Sequence, residues 1–351
     1  MKKPLRYIIV VMLLFTVLNL YRLDYYIVKP GHAYEVSEFI EVQGSHHHEG
    51  TLNLMTVAMQ VATPVSYALS YLTSNSEIVK KEQVRRQDES DKEYEIRQQK
   101  QMTDSQFNAK YVAYQKLGLE TSIQFDGLYV LHVVKNSAAD QQLQAGDEII
   151  KIDNKPVTSL EMFTEHVKPK KEDEEVVVTI MREGKQQDFT IAVKPIPEDA
   201  EKRVGLGISY TAAQTLKTTP PIEVNAADIG GPSAGLMFTL GIINALSEKD
   251  ITKGYAIAGS GTMNLDGTVG PIGEIGKKVI AAHKDGMDYF FALSTPYSEE
   301  YLKAVPNAKT NYEEAREMAK EIKTTMVIVP VETVDDALEY LQQLKAPQLS
   351  S

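Results

Sequence analysis

The sequence predicts an α+β protein of two or three domains, and three observations carry that prediction. An apolar stretch opens the chain behind a basic flank, short β-rich runs separated by turn signals occupy the middle, and strand-like and helix-like segments alternate towards the C-terminus. With 351 residues and 43% hydrophobic content, the chain can build real cores and is neither disordered nor fibrous.

At the N-terminus Lys2, Lys3 and Arg6 precede the run from Tyr7 to Tyr21, YIIVVMLLFTVLNLY, whose one strongly polar member is Asn19. A basic flank before an apolar helix reads as a membrane anchor or a signal peptide. The run is slightly shorter than the roughly 20 residues a spanning helix needs, but Tyr7, Tyr21 and Arg22 suit the headgroup region. A cleavable signal ends in small residues of A-x-A type, and NLYRLDYYIVKPG offers none, which favours an N-terminal transmembrane helix. Positive charge on the short leading side places the N-terminus in the cytoplasm and everything after Asp24 outside. Residues 1–28 are thus expected to form an anchor and cytoplasmic stub of a single-pass cell-membrane protein whose remainder is extracellular.

Residues 29–118 begin with Lys29-Pro30-Gly31, read as a turn off the membrane. Two alternating stretches follow, SEFIEVQ and TLNLMTVAMQVA, expected to pair as a hairpin. Between them stand His46, His47 and His48, which either hold a metal or form a surface loop tip. Three consecutive positions on an extended loop cannot all converge on one ion, so no metal site is expected. From Thr63 to Leu117 the pattern turns helical amid dense mixed charge, the mark of a solvated helix or a connector, and no chemistry is assigned to it.

Residues 119–196 change character. FDGLYVLHVVKNSAADQQLQAGDEIIKIDNKPVTSLEMFTEHV and EEVVVTIMREGKQQDFTIAV are short β-rich runs around one helix, with turns at Asp126-Gly127, Ala145-Gly146-Asp147, Asp153-Asn154 and Glu183-Gly184.

Residues 200–345 carry the sharpest signals. In PPIEVNAADIGGPSAGLMFTLGIINALSEK, a β-rich lead-in ends at Gly230-Gly231-Pro232, and an amphipathic helix is expected to begin near Ser233. Ser233 is then either an N-cap or a nucleophile. Glycines there admit a substrate backbone, and the N–H groups and dipole of a helix start can stabilise an oxyanion. In NLDGTVGPIGEIGKKVIAAHKDGMDYFFAL a second helix is expected from near Glu274, with Ile275, Lys278, Val279 and Ala282 on its apolar face and Lys277 on the other side. A lysine on an apolar face either snorkels its ammonium to water or is desolvated. Desolvation would lower its pKa towards about 7 or 8, so that the neutral amine could take a proton from Ser233. A rival arrangement pairs Ser233 with His283 and either Asp266 or Asp288, although His283 lies off the apolar stripe.

Totals exclude other classes. A net charge of −11 without a long basic run opposes nucleic-acid binding, and the absence of cysteine rules out disulfides, thiolate zinc sites and a cysteine nucleophile. GPIGEIGKK fails the P-loop pattern because Lys278 stands where Ser or Thr should bind magnesium. No cofactor is expected, and nothing in these 351 residues reads as an ATPase module.

The motifs GPSAG at Gly231–Gly235 and PIGEIGKKVIAAHKDG at Pro271–Gly286, 45 positions apart at Ser233 and Lys278, resemble the proteolytic domain of Lon-type Ser/Lys peptidases. The 119–196 segment is similar to a PDZ domain: LQAGDEIIKIDNKPV resembles its core and GLYV its carboxylate-binding loop and strand. The whole layout resembles the membrane-anchored, PDZ-containing Lon-like serine proteases of Gram-positive bacteria. This resemblance implies an ATP-independent serine endopeptidase, with Ser233 as nucleophile, Lys278 as general base, Ser260 supporting the lysine where threonine is usual, and Gly231, Pro232 and Ala234 shaping the site. Gly230, where relatives often carry an acid, and Glu274, in place of the second glycine of the PIGG turn, depart from the pattern. Peptide partners are implied at two places: substrates along Ile222–Ala227, and a PDZ ligand paired with Leu128–Val133 and held near Gly127, Leu128, Tyr129 and Val130. Within 29–118, an N-terminal hairpin and helical connector, the hairpin near Leu52 to Val61 resembles the opening strands of the protease fold, which implies that the PDZ module is inserted within that fold. The alternative is a tethered PDZ scaffold or chaperone without proteolysis. The sequence leaves the oligomeric state open, and the resemblance admits a homo-oligomer.

Overall fold

The structure, a computed structural model, describes residues 2–347 apart from 47, 87–88, 198 and 227–228, with the backbone alone for residues 2–6. α1 (Lys2–Leu20) is helical where the apolar run stands, and the side chains from Tyr7 to Leu20 are exposed on every face. Among the described residues no helix is long and apolar enough to cross a membrane, so the expected transmembrane helix finds no support here. The side chains of Lys2, Lys3 and Arg6 lie outside the described residues.

The next strands are β1 (Tyr25–Glu35), β2 (Ile40–Val42) and β3 (Thr51–Val61). The expected hairpin is corrected: β3 pairs antiparallel with β1, from Tyr26 opposite Val61 to Glu35 opposite Asn53, and β2 pairs elsewhere. Lys29-Pro30-Gly31 is not a turn. It stays inside β1, where the register shifts between Pro30 and Ala33, a bulge that accommodates a residue without an N–H. A Cβ on Gly31 would come within 2.4 Å of Thr56 Oγ1, so glycine lets β1 close on β3 at that point.

β4 (Glu77–Lys80) pairs with β1 and interrupts the stretch expected to be helical from Thr63. A long helix runs only over α2 (Asp91–Leu117). Its start is fixed by a capping box in which Ser90 N donates to Glu93 Oε2 at 2.9 Å, and Gly118 at φ 67° ends it.

Beyond Gly118 come β5 (Glu120–Val133), β6 (Glu148–Ile152), α3 (Leu160–Val167), β7 (Glu175–Arg182), β8 (Lys185–Ala192) and β9 (Ile208–Thr219). The strands form an antiparallel sheet in the order β9-β5-β6-β7-β8. Its core joins Leu128, Val130, Ile149, Ile152, Val178 and Ile180 to Phe163 of α3, by alternation along β5 and β7 and by a register shift between Ile149 and Lys151 in β6.

The expected peptide-binding edge in this module is corrected. Leu128 and Tyr129 already face Ala212 and Thr211 on one side and Ile149 and Glu148 on the other, and Val130 faces Tyr210 while its N–H donates to Asp147 O at 2.8 Å. No strand can be added at Gly127, Leu128, Tyr129 or Val130, because both neighbouring edges are taken. Gly127 serves packing instead: at φ 149°, an added Cβ would lie 2.4 Å from Ile149 O.

β9 leads through Pro220 into β10 (Ile222–Val224), which pairs with β2. α4 (Gly235–Leu246), β11 (Ala256–Ser260), α5 (Ile275–Lys284), β12 (Tyr289–Leu293), α6 (Asn311–Glu321), β13 (Val327–Val331) and α7 (Val334–Gln343) complete the chain. The main sheet runs β13-β12-β11-β3-β1-β4, with β11 parallel to both β3 and β12. Strands from before and after the 120–219 excursion therefore share one sheet, and that excursion enters from α2 and returns to β10.

Adjacent strand residues face opposite sides of this sheet, and each side has its own helix. Leu54, Ile257 and Phe291 pack with Leu236, Phe238 and Leu240 of α4, while Met55, Ala258 and Phe290 pack with Val279, Ala281 and Ala282 of α5. α4 is not amphipathic in place. Every residue from Gly235 to Asn244 is buried, because Met102, Ala109 and Val112 of α2 cover the side turned away from the sheet.

Candidate active site

Ser233 sits in the turn before α4, two residues ahead of its first helical residue, and is half-buried. It is not the N-cap: Ala234 holds that position, with no side-chain capping bond. The Ser233 carbonyl accepts from Ser260 Oγ at 3.0 Å and from Gly261 N at 3.0 Å, which ties the turn to the end of β11. Its hydroxyl is thereby free to point elsewhere, and Lys278 Nζ lies 2.6 Å from Ser233 Oγ.

Lys278 reaches that point from α5. Its helix starts at Glu274, a non-glycine residue held at φ 62°, and the turn before it is pinned by Asn311, whose Oδ1 accepts from Ile272 N and whose Nδ2 donates to Ile272 O, both at 2.9 Å. The lysine is 3% exposed and lies on the apolar face with Ile275, Val279 and Ala282. Its only other polar neighbour among the described residues is Ser260 Oγ at 2.8 Å. Burial, opposed weakly by the Glu274 carboxylate, lowers its pKa from 10.5 to about 7. The adjacent Lys277 has the opposite fate. Burial works to lower its pKa, but its Nζ meets Glu274 at 2.6 Å and also Glu77, and these carboxylates hold it above the usual lysine value.

Ser260 is 1% exposed, and its single hydroxyl proton goes to the Ser233 carbonyl. Towards Lys278 it therefore accepts, which orients one amine N–H away from Ser233. Gly231, at φ 85°, supplies the backbone conformation that leads into Pro232 and Ser233. So Ser233, Lys278, Ser260, Gly231, Pro232 and Ala234 come together, whereas Gly127, Leu128 and Val130 are buried in the other module and the half-buried Tyr129 lies under Lys100 of α2.

The rival arrangement is not assembled. His283 is exposed, Asp288 accepts from Ala256 N at the start of β11 at 2.9 Å, and Asp266 accepts from Thr268 N at 2.9 Å in its own local turn. Of the three histidines, His48 Nε2 lies 2.9 Å from Asn244 O, and His46 N donates to Ala245 O at 3.0 Å, so the loop covers the end of α4; His47 lies outside the described residues.

Sequence reasoning missed the part played by α2, to which no chemistry was assigned. Gln98 O accepts from Gly231 N at 3.0 Å, Ser105 Oγ donates to Pro232 O at 2.9 Å, and Asn108 Nδ2 donates to Met263 O at 2.8 Å. One helix thus fastens both the turn before Ser233 and the strand after Ser260. The signal was present as polar residues at positions 105 and 108, spaced to share a helix face with the buried Met102 and Ala109, whereas the Gln98 contact is made by its backbone carbonyl and leaves no mark in the sequence.

Comparison with known proteins agrees with this division. Residues 115–193 match the PDZ domain family, and residues 221–343 match the Lon protease (S16) C-terminal proteolytic domain. The Lon protease of Metamycoplasma arthritidis is 28% identical over 165 residues, 47% of this chain and 17% of that protein. Lon protease 1 of Myxococcus xanthus is 31% identical over 118 residues, 34% of this chain and 12% of that protein. The chain thus spans less than a fifth of the length of these relatives. Among solved structures, the PDZ domain of an SdrC-like protein from Listeria monocytogenes is 28% identical, covering 26% of this chain and 93% of that one with a TM-score of 0.24. Two separate segments of the chain thus match the PDZ domain and the Lon C-terminal proteolytic domain, and part of the chain is similar to the Lon proteases.

Proposed function

We propose that the protein is a serine endopeptidase in which Ser233 attacks the scissile carbonyl and Lys278 is the general base. The observation that carries this reading is a buried amine, unpaired with any carboxylate among the described residues, 2.6 Å from a half-buried hydroxyl. At neutral pH much of this amine is uncharged, so its lone pair can accept the Ser233 proton as the Oγ–carbon bond forms. The resulting ammonium then donates that proton to the leaving amine, and water repeats the cycle on the acyl-enzyme. Ser260 holds the amine in line throughout. The Ser233 and Ala234 N–H groups, for which no partner is seen among the described residues, would be the donors to the tetrahedral oxyanion in this reading.

The substrate would be an extended or unfolded segment of peptide or protein, docked along β10 and the residues after it; Ala227, the last residue assigned to this groove, lies outside the described residues. No nucleotide is required in this reading, since no P-loop pattern stands in the sequence. The PDZ domain would add a peptide partner of its own, at a place other than Gly127–Val130. Attachment to the cell membrane through α1, with the protease outside, rests on the apolar and exposed surface of that helix and on its basic flank. Association of the full-length chain with membranes, lost on deleting residues 1–21, is the result this localisation requires.

The test of the activity incubates wild type, Ser233→Ala and Lys278→Ala with a mixed peptide library and reads the fragments by mass spectrometry. Wild type alone should cleave. Identical fragments from all three, or none from any, would favour a PDZ-bearing scaffold without proteolysis.

A further inference from the structure

β10 has two edges. One is paired with β2, and Asn225 N continues that pairing by donating to Phe39 O at 2.9 Å. Backbone groups alternate sides along a strand, so Val224 O and Ala226 N point to the opposite edge, away from β2. An added peptide strand would claim this second edge.

The edge is already occupied by a side chain. Gln106, half-buried on α2, reaches both groups with its carboxamide, and in the amide orientation that satisfies them Nε2 donates to Val224 O at 3.2 Å and Oε1 accepts from Ala226 N at 3.2 Å. One donor and one acceptor, bridging the groups either side of a single residue, is the pattern that the N–H and C=O of one residue in a parallel neighbouring strand would present. A carboxamide has the same donor, acceptor and planarity as a peptide group. Beside it lies a hollow of about 320 Å³, bordered by Gln99, Thr103, Asn225 and Ile229 and by Gln106 itself.

We infer that Gln106 is a surrogate for the substrate backbone: its carboxamide holds the free edge of the strand leading to Ser233, and a bound peptide takes over those two hydrogen bonds. Gln106 is thus a determinant of substrate affinity. Binding exchanges one set of amide hydrogen bonds for an equivalent set, so the edge is never left unsatisfied in the absence of substrate, and every peptide competes with an intramolecular ligand. This inference rests on the proposal that substrate docks along β10.

Removing the competitor should tighten binding. In the full-length protein, Gln106→Ala and Gln106→Asn, the latter too short to bridge both groups, are expected to lower KM for a fluorescein-labelled casein peptide by about fivefold or more, with kcat within about twofold of wild type. Gln99→Ala, which borders the same hollow without touching the strand, should leave KM unchanged. A fall in kcat with KM unchanged, or a rise in KM, would show that Gln106 only braces the turn before Ser233 and would overturn the inference. The same substitutions made on a Ser233→Ala background separate the two claims: anisotropy then reads peptide affinity without turnover. If wild type cleaves nothing, the peptidase reading fails; if it cleaves but the Gln106 variants bind the labelled peptide no tighter, the surrogate-strand inference fails alone.

Discussion

The pKa of Lys278 makes the pH dependence of the reaction a prediction with a sign and a position. The amine is reactive only when neutral, and burial brings its pKa down to about 7. The rate on a peptide should therefore rise about tenfold per pH unit below 7 and level off above about pH 8. The fall from 10.5 to about 7 corresponds to on the order of 5 kcal/mol in favour of the neutral amine. One named charge opposes it: the Glu274 carboxylate, at the start of the same helix, favours the ammonium. Replacing Glu274 by Gln deletes that charge. For a partly screened carboxylate within about 10 Å, the loss is on the order of 1 kcal/mol, or about 0.7 of a pH unit. The Glu274→Gln profile of kcat/KM should move to lower pH by that amount, with the plateau rate preserved. A stopped assay in constant-ionic-strength buffers between about pH 5.5 and 9 resolves it. A profile that moves upward, or stays flat across that range, would refute the assignment of the titrating group to Lys278.

Other perturbations follow from the same geometry. Ser260→Ala removes the acceptor that orients the amine and the donor to Ser233 O, so kcat should fall about ten- to hundredfold, and Ser260→Thr should recover most of it. Because the folded pKa of Lys278 lies below its unfolded value, the unfolded chain binds more protons between about pH 7 and 10.5. Wild-type stability should rise with pH through that window, a rise that denaturant titrations of Lys278→Met should lack. Gly127→Val sets a β-branched residue at φ 149° against Ile149 O and should cost more than about 2 kcal/mol in thermal or denaturant unfolding, while leaving the Ser233–Lys278 contact intact.

Both chemical groups of the candidate site were legible because local sequence carries their positions. The Ile275, Lys278, Val279, Ala282 spacing puts the lysine on a buried face whatever that face packs against, and Gly231-Pro232 marks the turn that releases Ser233 from its helix. What the sequence hid was pairing at long range. SEFIEVQ and TLNLMTVAMQVA alternate as strands should, but nothing in alternation says that Ile40 faces Val224 and that Thr51–Val61 lies beside Ala256–Ser260. The same limit misplaced the PDZ edge. GLYVLHVV is a strand by composition, and only the return of residues 208–219 reveals that its free side is filled. α2 was opaque for another reason: its dense charge conceals a polar face, Ser105, Gln106 and Asn108, that hydrogen-bonds backbone instead of water.

The account stands most directly on whether the Ser233 hydroxyl is made nucleophilic by the neighbouring amine. Treating the full-length protein with a fluorophosphonate and mapping the adduct by peptide mass spectrometry reads that activation without any assumption about substrate. The adduct is predicted on Ser233 in wild type and in Lys277→Ala, whose lysine is spoken for by Glu274 and Glu77, and it should be lost in Lys278→Ala. Labelling of Ser233 that survives Lys278→Ala, or an adduct on a different residue, would contradict it.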